Sequence, residues 1–307
     1  MDERAAGAVV YLTGDLDRNT LEKSVRAGTL QRLRRGAYGP VVEGEDRYVR
    51  ERVRARQQMH AIARQLDGPL WFSHDSAALL HRLPLEHVPS RTHLLRPGRA
   101  SARADQTIVR HRAAVPEADT TMVDALPVTT LLRTAVDCAM TMPDLGAFMA
   151  LDRVLAQPGL RAQIADRLAE QRGASGSAKA RWRLDRAEGR AESAGETTTR
   201  VTLMRLGVRV PDLQIEVATD IGQFRIDMGW RDLKIGIEFD GKVKYTRMAD
   251  GDPAEVVFQE KRRQDALERE GWILIRVVWA DLARPGRLLA EVHRRLAERA
   301  SRAAWIG

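Results

Sequence analysis

The C-terminal part of the chain takes its fold from the stretch Leu233-Lys234-Ile235-Gly236-Ile237-Glu238-Phe239-Asp240-Gly241-Lys242-Val243-Lys244. Apolar and polar residues alternate along it, which is typical of a half-buried β-strand. Successive side chains of a strand point to opposite faces of the sheet, so the isoleucines and Phe239 are predicted to face a core. The opposite face is predicted to carry Glu238 and Asp240 and, if the strand continues, Lys242 and Lys244.

A second alternating stretch lies upstream of this one, over residues 224–228. Phe224, Ile226 and Met228 are predicted to point into the core, with Arg225 and Asp227 on the opposite face.

If the two stretches pair as a hairpin, Asp227 lies beside Glu238 and Asp240. Carboxylates packed on neighbouring strands repel one another unless a cation compensates them. Oxygen ligands of this kind suit Mg²⁺, and a nearby ammonium group can position water or offset developing charge. The sequence therefore predicts a metal-dependent hydrolytic site here.

The surrounding elements are predicted in the order α-β-β-β-α-β-α. Besides the two stretches above, helices are predicted over residues 193–206, 253–269 and 286–304, and strands over residues 213–218 and 272–279. Over the whole chain we expect an α+β protein with an α/β C-terminal domain at 191–307.

This C-terminal segment resembles a known family. Asp227, ten intervening residues and then Glu238-Phe239-Asp240-Gly241-Lys242-Val243-Lys244 are similar to the core of the PD-(D/E)XK nuclease fold, in particular to Vsr-like (very-short-patch-repair-like) endonuclease domains. Further likeness is carried by Glu192-Ser193-Ala194-Gly195-Glu196, by residues 260–267, and by the run from Gly271-Trp272 to Arg276-Val277.

The resemblance implies a restriction-endonuclease-like domain that hydrolyses DNA with Mg²⁺ or Mn²⁺. Asp227, Glu238 and Asp240 would hold the metal, and Glu196 would assist from the preceding helix. Either Lys242 or Lys244 would serve as the active cation, and the pattern does not choose between them. Glu196 is equally explained as the return partner of a Ser-x-x-Glu capping box that begins at Ser193.

Residues 1–45 are predicted to form a winged helix-turn-helix. A helix over residues 19–27 is followed by the basic hairpin Leu30-Gln31-Arg32-Leu33-Arg34-Arg35-Gly36-Ala37-Tyr38. Its apolar residues are expected to pack inward, and Arg32, Arg34 and Arg35 are expected to face out and contact DNA phosphates. The alternative is a small helical cap with solvated arginines. The motif Leu30-x-Arg32-Leu33-x-x-Gly36-x-Tyr38 resembles the winged-helix domain of AbiEi-type antitoxins.

Residues 46–170 are predicted to form an α+β middle domain, followed by a linker and helix over 171–190. A helix over 46–66, a small β region at 91–115 and two helices ending near 140 and 156 are expected. Ser73 or Asp75 is expected to cap a helix, and the histidines at 74, 81, 87, 93 and 111 show no metal-binding spacing, so packing and capping are predicted for them. The motifs Ser73-His74-x-Ser76-Ala77-Ala78, Leu83-Pro84 and Thr129-x-x-x-Arg133-Thr134-x-x-Asp137 resemble the middle region of AbiEi-type antitoxins.

Charge and composition favour a nucleic-acid partner. The 307 residues contain 50 Lys and Arg against 42 Asp and Glu, a net charge of +8, and four of the six lysines lie between residues 234 and 261. One cysteine excludes an internal disulfide framework and a Cys-rich zinc site. The lack of a long apolar run and of a signal-peptide pattern predicts a cytoplasmic protein without a membrane span.

Three functional hypotheses follow. The first is a DNA-binding protein with a metal-dependent endonuclease domain. The second is a non-catalytic AbiEi-type antitoxin or repressor that binds its own promoter and has a cognate toxin encoded nearby. The third is a domain of a defence system that cuts invading DNA.

Overall fold

The chain divides into two compact units, Met1–Ala187 and Glu188–Gly307. The structure is a computed structural model that describes residues 3–44, 46–97, 105–113, 115–241 and 253–306. It is a mixed α/β protein with three sheets, which confirms the α+β class. The finer predicted division, with boundaries at residues 45, 170 and 190, stays a prediction. No helix in the described ranges is long and apolar enough to cross a membrane.

The first unit begins with a small antiparallel sheet in the order β1-β3-β2. Its elements are α1 (Glu3–Ala8), β1 (Tyr11–Leu12), α2 (Arg18–Arg26), β2 (Leu30–Arg34) and β3 (Ala37–Pro40). Asp17 caps α2 by accepting a 2.9 Å hydrogen bond from the Thr20 amide. Gly36, at φ 72°, occupies the left-handed conformation that the β2–β3 turn requires. A helix followed by a hairpin is thus present, and the winged-helix assignment stays a prediction.

The rest of this unit is a five-stranded sheet with helices around it, in the strand order β6-β5-β4-β8-β7. The strands are β4 (Trp71–Phe72), β5 (Thr92–Leu95), β6 (Ile108–His111), β7 (Thr120–Val123) and β8 (Leu126–Thr129). The helices are α3 (Arg47–Gln65), α4 (His74–Leu80), α5 (Leu131–Thr141), α6 (Asp144–Leu155), α7 (Leu160–Glu170) and α8 (Ser177–Arg186), with a 3-10 turn at Glu117–Asp119.

The second unit has a four-stranded sheet in the order β12-β11-β10-β9. The first three strands are antiparallel, and β12 runs parallel to β11. Its elements are α9 (Ala194–Arg205), β9 (Asp212–Thr219), β10 (Gly222–Trp230), β11 (Ile235–Phe239), α10 (Pro253–Arg269), β12 (Ile273–Val277), α11 (Trp279–Leu282) and α12 (Pro285–Ile306). The described order agrees with the one expected from sequence except for the short helix α11, which begins at Trp279 within the predicted strand over 272–279. The nuclease fold itself stays a prediction.

The apolar side chains of β10 pack into two separate clusters, which corrects the prediction of one core face. Ile226 packs with Leu267 and Trp272. Met228 packs with a second cluster that contains Trp230, Ile237 and Leu288 among others. The strict alternation is therefore broken between Ile226 and Met228. Strand β9 is irregular beside this break. Gln214, between the residues that pair with Met228 and Ile226, has φ 53°, in the left-handed region.

Candidate functional site

The register of β10 and β11 brings Asp227 next to Glu238, as the predicted hairpin pairing requires. Met228 pairs with Ile237 in antiparallel register. Asp227, one residue before Met228, therefore lies opposite Glu238, one residue after Ile237. The Phe239 amide donates a 2.8 Å hydrogen bond to Oδ2 of Asp227. Asp227 is therefore fixed to the β11 backbone rather than pointing freely into solvent.

Glu196 reaches the same end of the sheet because Gly195 lets α9 approach β11 closely. A Cβ atom at Gly195 would lie 2.0 Å from Cε1 of Phe239, so no larger residue fits without displacement. The Glu196 amide donates to Oγ of Ser193 at 3.1 Å, and the Ser193 hydroxyl lies 2.8 Å from Oε1 of Glu196. The Glu192 amide donates to Oε2 at 2.9 Å.

Ser193 therefore caps α9 as expected, but the Glu196 carboxylate returns to the Glu192 amide and the Ser193 hydroxyl rather than to the Ser193 amide of a regular capping box. Burial raises the pKa of Glu196 above its ordinary value, and the hydrogen bonds from Glu192 and Ser193 oppose that change. The negative charge of Asp227 raises this pKa further, so the two carboxylates interact electrostatically. Glu196 thus supports the N-terminus of α9, and a ligand role for it stays a prediction.

Glu238 is neutralised by an arginine that the sequence reasoning did not assign to the site. Both terminal nitrogens of Arg263 on α10 contact its carboxylate, Nη1 at 3.2 Å from Oε2 and Nη2 against Oε1. Arg263 Nη2 also donates to the Arg225 carbonyl at 3.0 Å. This contact joins a strand to a helix 25 residues later, so local pattern could not reveal it.

A cleft of about 1040 Å³ contains these groups. Asp227, Glu238 and Asp240 line it together, with basic side chains of α10 and β12 around them: Lys261, Arg262, Arg263 and Arg276. The described residues that line the cleft do not include Glu196. Lys242 and Lys244, the predicted active cations, lie outside the described residues.

Part of the predicted donor set for Mg²⁺ is already engaged in this arrangement. Both oxygens of Glu238 are bound by Arg263, and Oδ2 of Asp227 accepts a backbone amide. A guanidinium therefore compensates the charge of Glu238. A Mg²⁺ site, which needs one or two carboxylates together with waters, stays a prediction.

Of the three hairpin arginines that are predicted to contact phosphates, two lie on the surface. Arg32 and Arg35 are exposed. Arg34 was predicted to face out, and this is wrong: its side chain is only 11% exposed and forms an ion pair with Asp105. A register shift between Arg32 and Arg34 explains the difference, because a bulge turns Leu33 inward and changes the direction of the residue that follows.

Helix α2, which precedes the hairpin, has almost no buried face. Of its nine residues Leu21 is buried, and Asn19, Thr20, Lys23 and Arg26 are exposed. Most helices of a globular protein bury a broad apolar stripe against a core. The surface of α2 is instead polar and basic, as expected of a helix that meets a charged partner.

The middle region corrects one further prediction and brings three of its histidines together. Ser73 occupies the N-cap position of α4, but its side chain makes no capping hydrogen bond and instead lies 2.9 Å from Nδ1 of His74. His74, His93 and His111, expected to serve packing, meet in one cluster. They come from α4, β5 and β6, so no short-range spacing could reveal them.

Comparison with protein families supports one of the two resemblances. Residues 74–186 match the model of the AbiEi antitoxin C-terminal domain, a little over a third of the chain. This range contains α4 to α8 and most of the five-stranded sheet. The resemblance of the C-terminal segment to Vsr-like nucleases stays a prediction.

Two curated relatives come from Mycobacterium tuberculosis. The uncharacterized protein MT2308 of strain CDC 1551 / Oshkosh and the uncharacterized protein Rv2248 of strain H37Rv are each 34% identical over 166 residues, which is 53% of this chain. The chain spans 59% of the length of these relatives. Among solved structures, the RV2827C protein of Mycobacterium tuberculosis is similar at a TM-score of 0.37 and 17% identity, covering 69% of this chain and 82% of that one. Residues 74–186 are therefore similar to the AbiEi antitoxin C-terminal domain.

Proposed function

We propose that the chain is a non-catalytic DNA-binding regulator of the AbiEi antitoxin type. The observation that carries the proposal is the surface of α2, where polar and basic side chains are exposed around a single buried leucine. A helix with this surface, followed by a basic hairpin, suits insertion into the major groove with the hairpin on the phosphates. The family match at residues 74–186 supports the same function.

The proposed partners are the DNA upstream of the chain's own gene and a toxin encoded beside it. The toxin follows from the family's description alone, and a neighbouring gene for such a protein is the observation that would support it. The compensated acidic cleft agrees with a scaffold role for the second unit, because Arg263 satisfies Glu238 without a metal.

The test is a fluorescence-anisotropy titration of the full chain with a duplex from its own upstream region. The variants Lys23→Ala/Arg26→Ala and Arg32→Ala/Arg35→Ala are expected to bind more than about tenfold more weakly, since each lost phosphate contact also removes counterion release. Arg172→Ala, which removes another exposed arginine of the same unit, is the matched control and is expected to bind as the parent does.

Two results would contradict the proposal. One is equal affinity in the parent chain and in both double variants, and the other is loss of binding in Arg172→Ala to the same extent. Asp227→Ala/Glu238→Ala is expected to leave the affinity unchanged if the second unit has no part in DNA recognition.

The second candidate function is metal-dependent cleavage of DNA. The observation that favours it is the convergence of Asp227, Glu238 and Asp240 on one cleft that basic side chains surround. A metal ion could bind Glu238 only after the Arg263 guanidinium had moved away from its carboxylate. Supercoiled plasmid and linear duplexes incubated with Mg²⁺ or Mn²⁺ test it: cleavage that Asp227→Ala and Glu238→Ala abolish would establish it, and intact DNA under all conditions would exclude it.

A further inference from the structure

Three histidines from different elements of the first unit converge on one point. His74 is the first residue of α4, His93 lies on β5, and His111 ends β6. One ring nitrogen from each lies within 4.8 Å of the other two. Among the residues that the structure describes, this is the group of His, Cys, Asp or Glu side chains whose geometry suits a metal ion.

The distances within the cluster suit ligation. Nδ1 of His93 and Nε2 of His111 are 3.1 Å apart. Two nitrogens bound to one tetrahedral Zn²⁺ at about 2.0–2.1 Å lie about 3.3 Å from each other. The rings of His74 and His111 are stacked, with centroids 3.7 Å apart and planes inclined by 13°, so the His74 ring must turn to aim its in-plane lone pair at the same ion.

One ring of the cluster has an outer partner that fixes it. A ligating histidine usually engages its second ring nitrogen with another polar group, which sets the ring orientation. Nδ1 of His74 lies 2.9 Å from the hydroxyl oxygen of Ser73, which is fully buried. Nε2 of His93 lies 3.8 Å from Oδ1 of Asp75, too far for a hydrogen bond.

The backbone at the first ligand is unusual. His74 has φ 55°, a left-handed conformation that costs energy in any residue with a Cβ and is held only where the surroundings impose it. The nearby cation Arg133 is itself paired with Asp119 and Asp137.

We propose that His74, His93 and His111 bind one divalent transition-metal ion of the Zn²⁺ class. Imidazole nitrogens suit Zn²⁺, Co²⁺ and Ni²⁺ better than Mg²⁺ or Ca²⁺. Such an ion would join the start of α4 to two parallel strands, β5 and β6, at the edge of the five-stranded sheet. This site is independent of the acidic cleft and of the proposed DNA-binding surface.

The test uses the full chain, freed of any histidine tag and of metal by chelation. Calorimetric titration with Zn²⁺ and visible absorption with Co²⁺ give stoichiometry and coordination. The parent chain is expected to bind one equivalent, with the Co²⁺ bands of a nitrogen-rich site. His93→Gln and His111→Gln each remove a ligand and are expected to bind at least about tenfold more weakly, since losing even an outer partner typically costs that much.

His87→Gln is the matched control, because His87 has a side chain that is 86% exposed and lies outside the cluster. His74→Asn is a second ligand variant, since asparagine tolerates the left-handed backbone and preserves the fold. X-ray absorption at the zinc edge of the parent chain reports the imidazole count even if a variant fails to fold. The proposal is overturned if the parent chain binds no equivalent of Zn²⁺, if His93→Gln and His111→Gln bind as His87→Gln does, or if the spectrum shows no histidine ligands.

Discussion

The guanidinium of Arg263 forms a two-point ion pair with the carboxylate of Glu238, its Nη1 lying 3.2 Å from Oε2 while Nη2 contacts Oε1. The planar fork of an arginine matches a carboxylate better than a lysine ammonium does. Both side chains are mostly buried, at 21% and 13% exposed. The acid at the centre of the cleft is therefore compensated from within the chain, which is why we place DNA binding ahead of cleavage.

Removing Arg263 should destabilise the second unit. Arg263→Met leaves Glu238 mostly buried without its counter-charge, and we expect a loss of about 2–3 kcal/mol in the free energy of unfolding, measured by denaturant titration. The double variant Glu238→Gln/Arg263→Met should recover part of this loss. Arg294→Met breaks an exposed pair with Glu291 and should cost less than about 0.5 kcal/mol. Equal effects of the two single substitutions would contradict this account of the pair.

Gly195 should tolerate no added methyl group. A Cβ atom there would overlap the ring of Phe239 at 2.0 Å, so Gly195→Ala is expected to cost about 1–3 kcal/mol through displaced packing. Gly286→Ala is the control, because a Cβ atom at Gly286 has no neighbour within 4 Å. Thermal unfolding should show a lower Tm for the first variant and an unchanged or slightly higher Tm for the second. An unchanged Tm for Gly195→Ala would mean that α9 does not approach β11 as described.

The arginines of the hairpin should separate into a structural and a surface class. Arg34→Ala removes the partner of Asp105 and is expected to lower the free energy of unfolding by about 1–3 kcal/mol. Arg32→Ala and Arg35→Ala, at exposed positions, are expected to change it by less than about 0.5 kcal/mol. Denaturant titrations of the three variants check this, and a stability loss in Arg32→Ala as large as in Arg34→Ala would be inconsistent with the bulge in β2.

Stability of the first unit should fall in acid through Asp144. Burial tends to raise its pKa, but the hydrogen bonds and charges of Arg183 and Lys179 outweigh that effect and hold the pKa below its ordinary value of 3.8. A depressed carboxyl pKa contributes stability that is present above the unfolded value and is lost as the pH falls through the folded value. Asp144→Asn should therefore be less stable than the parent at pH 7, with a difference that shrinks below about pH 4. A constant difference across that range would contradict the assignment.

Much of the fold could be predicted because helices and strands each produce their own local period of apolar residues. The alternation over residues 233–240 determined which side chains of β11 share a face, and the predicted helix over 46–66 is observed as Arg47–Gln65. The neighbouring positions of Asp227 and Glu238 followed from hairpin pairing, although the period of two fails in β10 at Asp227 itself.

What could not be predicted depends on irregular or distant contacts. A single bulge in β2 turned Arg34 from the surface to Asp105, 71 residues away. The pairing of Glu238 with Arg263 joins a strand to a helix 25 residues later. The cluster of His74, His93 and His111 forms because β5 and β6 pair in parallel. No spacing in the sequence indicates that register.

The most direct test of sequence-specific DNA binding is the ratio of two dissociation constants for the full chain. One is measured on a duplex from the chain's own upstream region, the other on a shuffled duplex of the same length and composition, both at physiological salt. The account predicts that the upstream duplex binds at least about 10³-fold more tightly and that both duplexes remain uncut in Mg²⁺. Equal affinity for the two duplexes, or cleavage that Glu238→Ala abolishes, would contradict it.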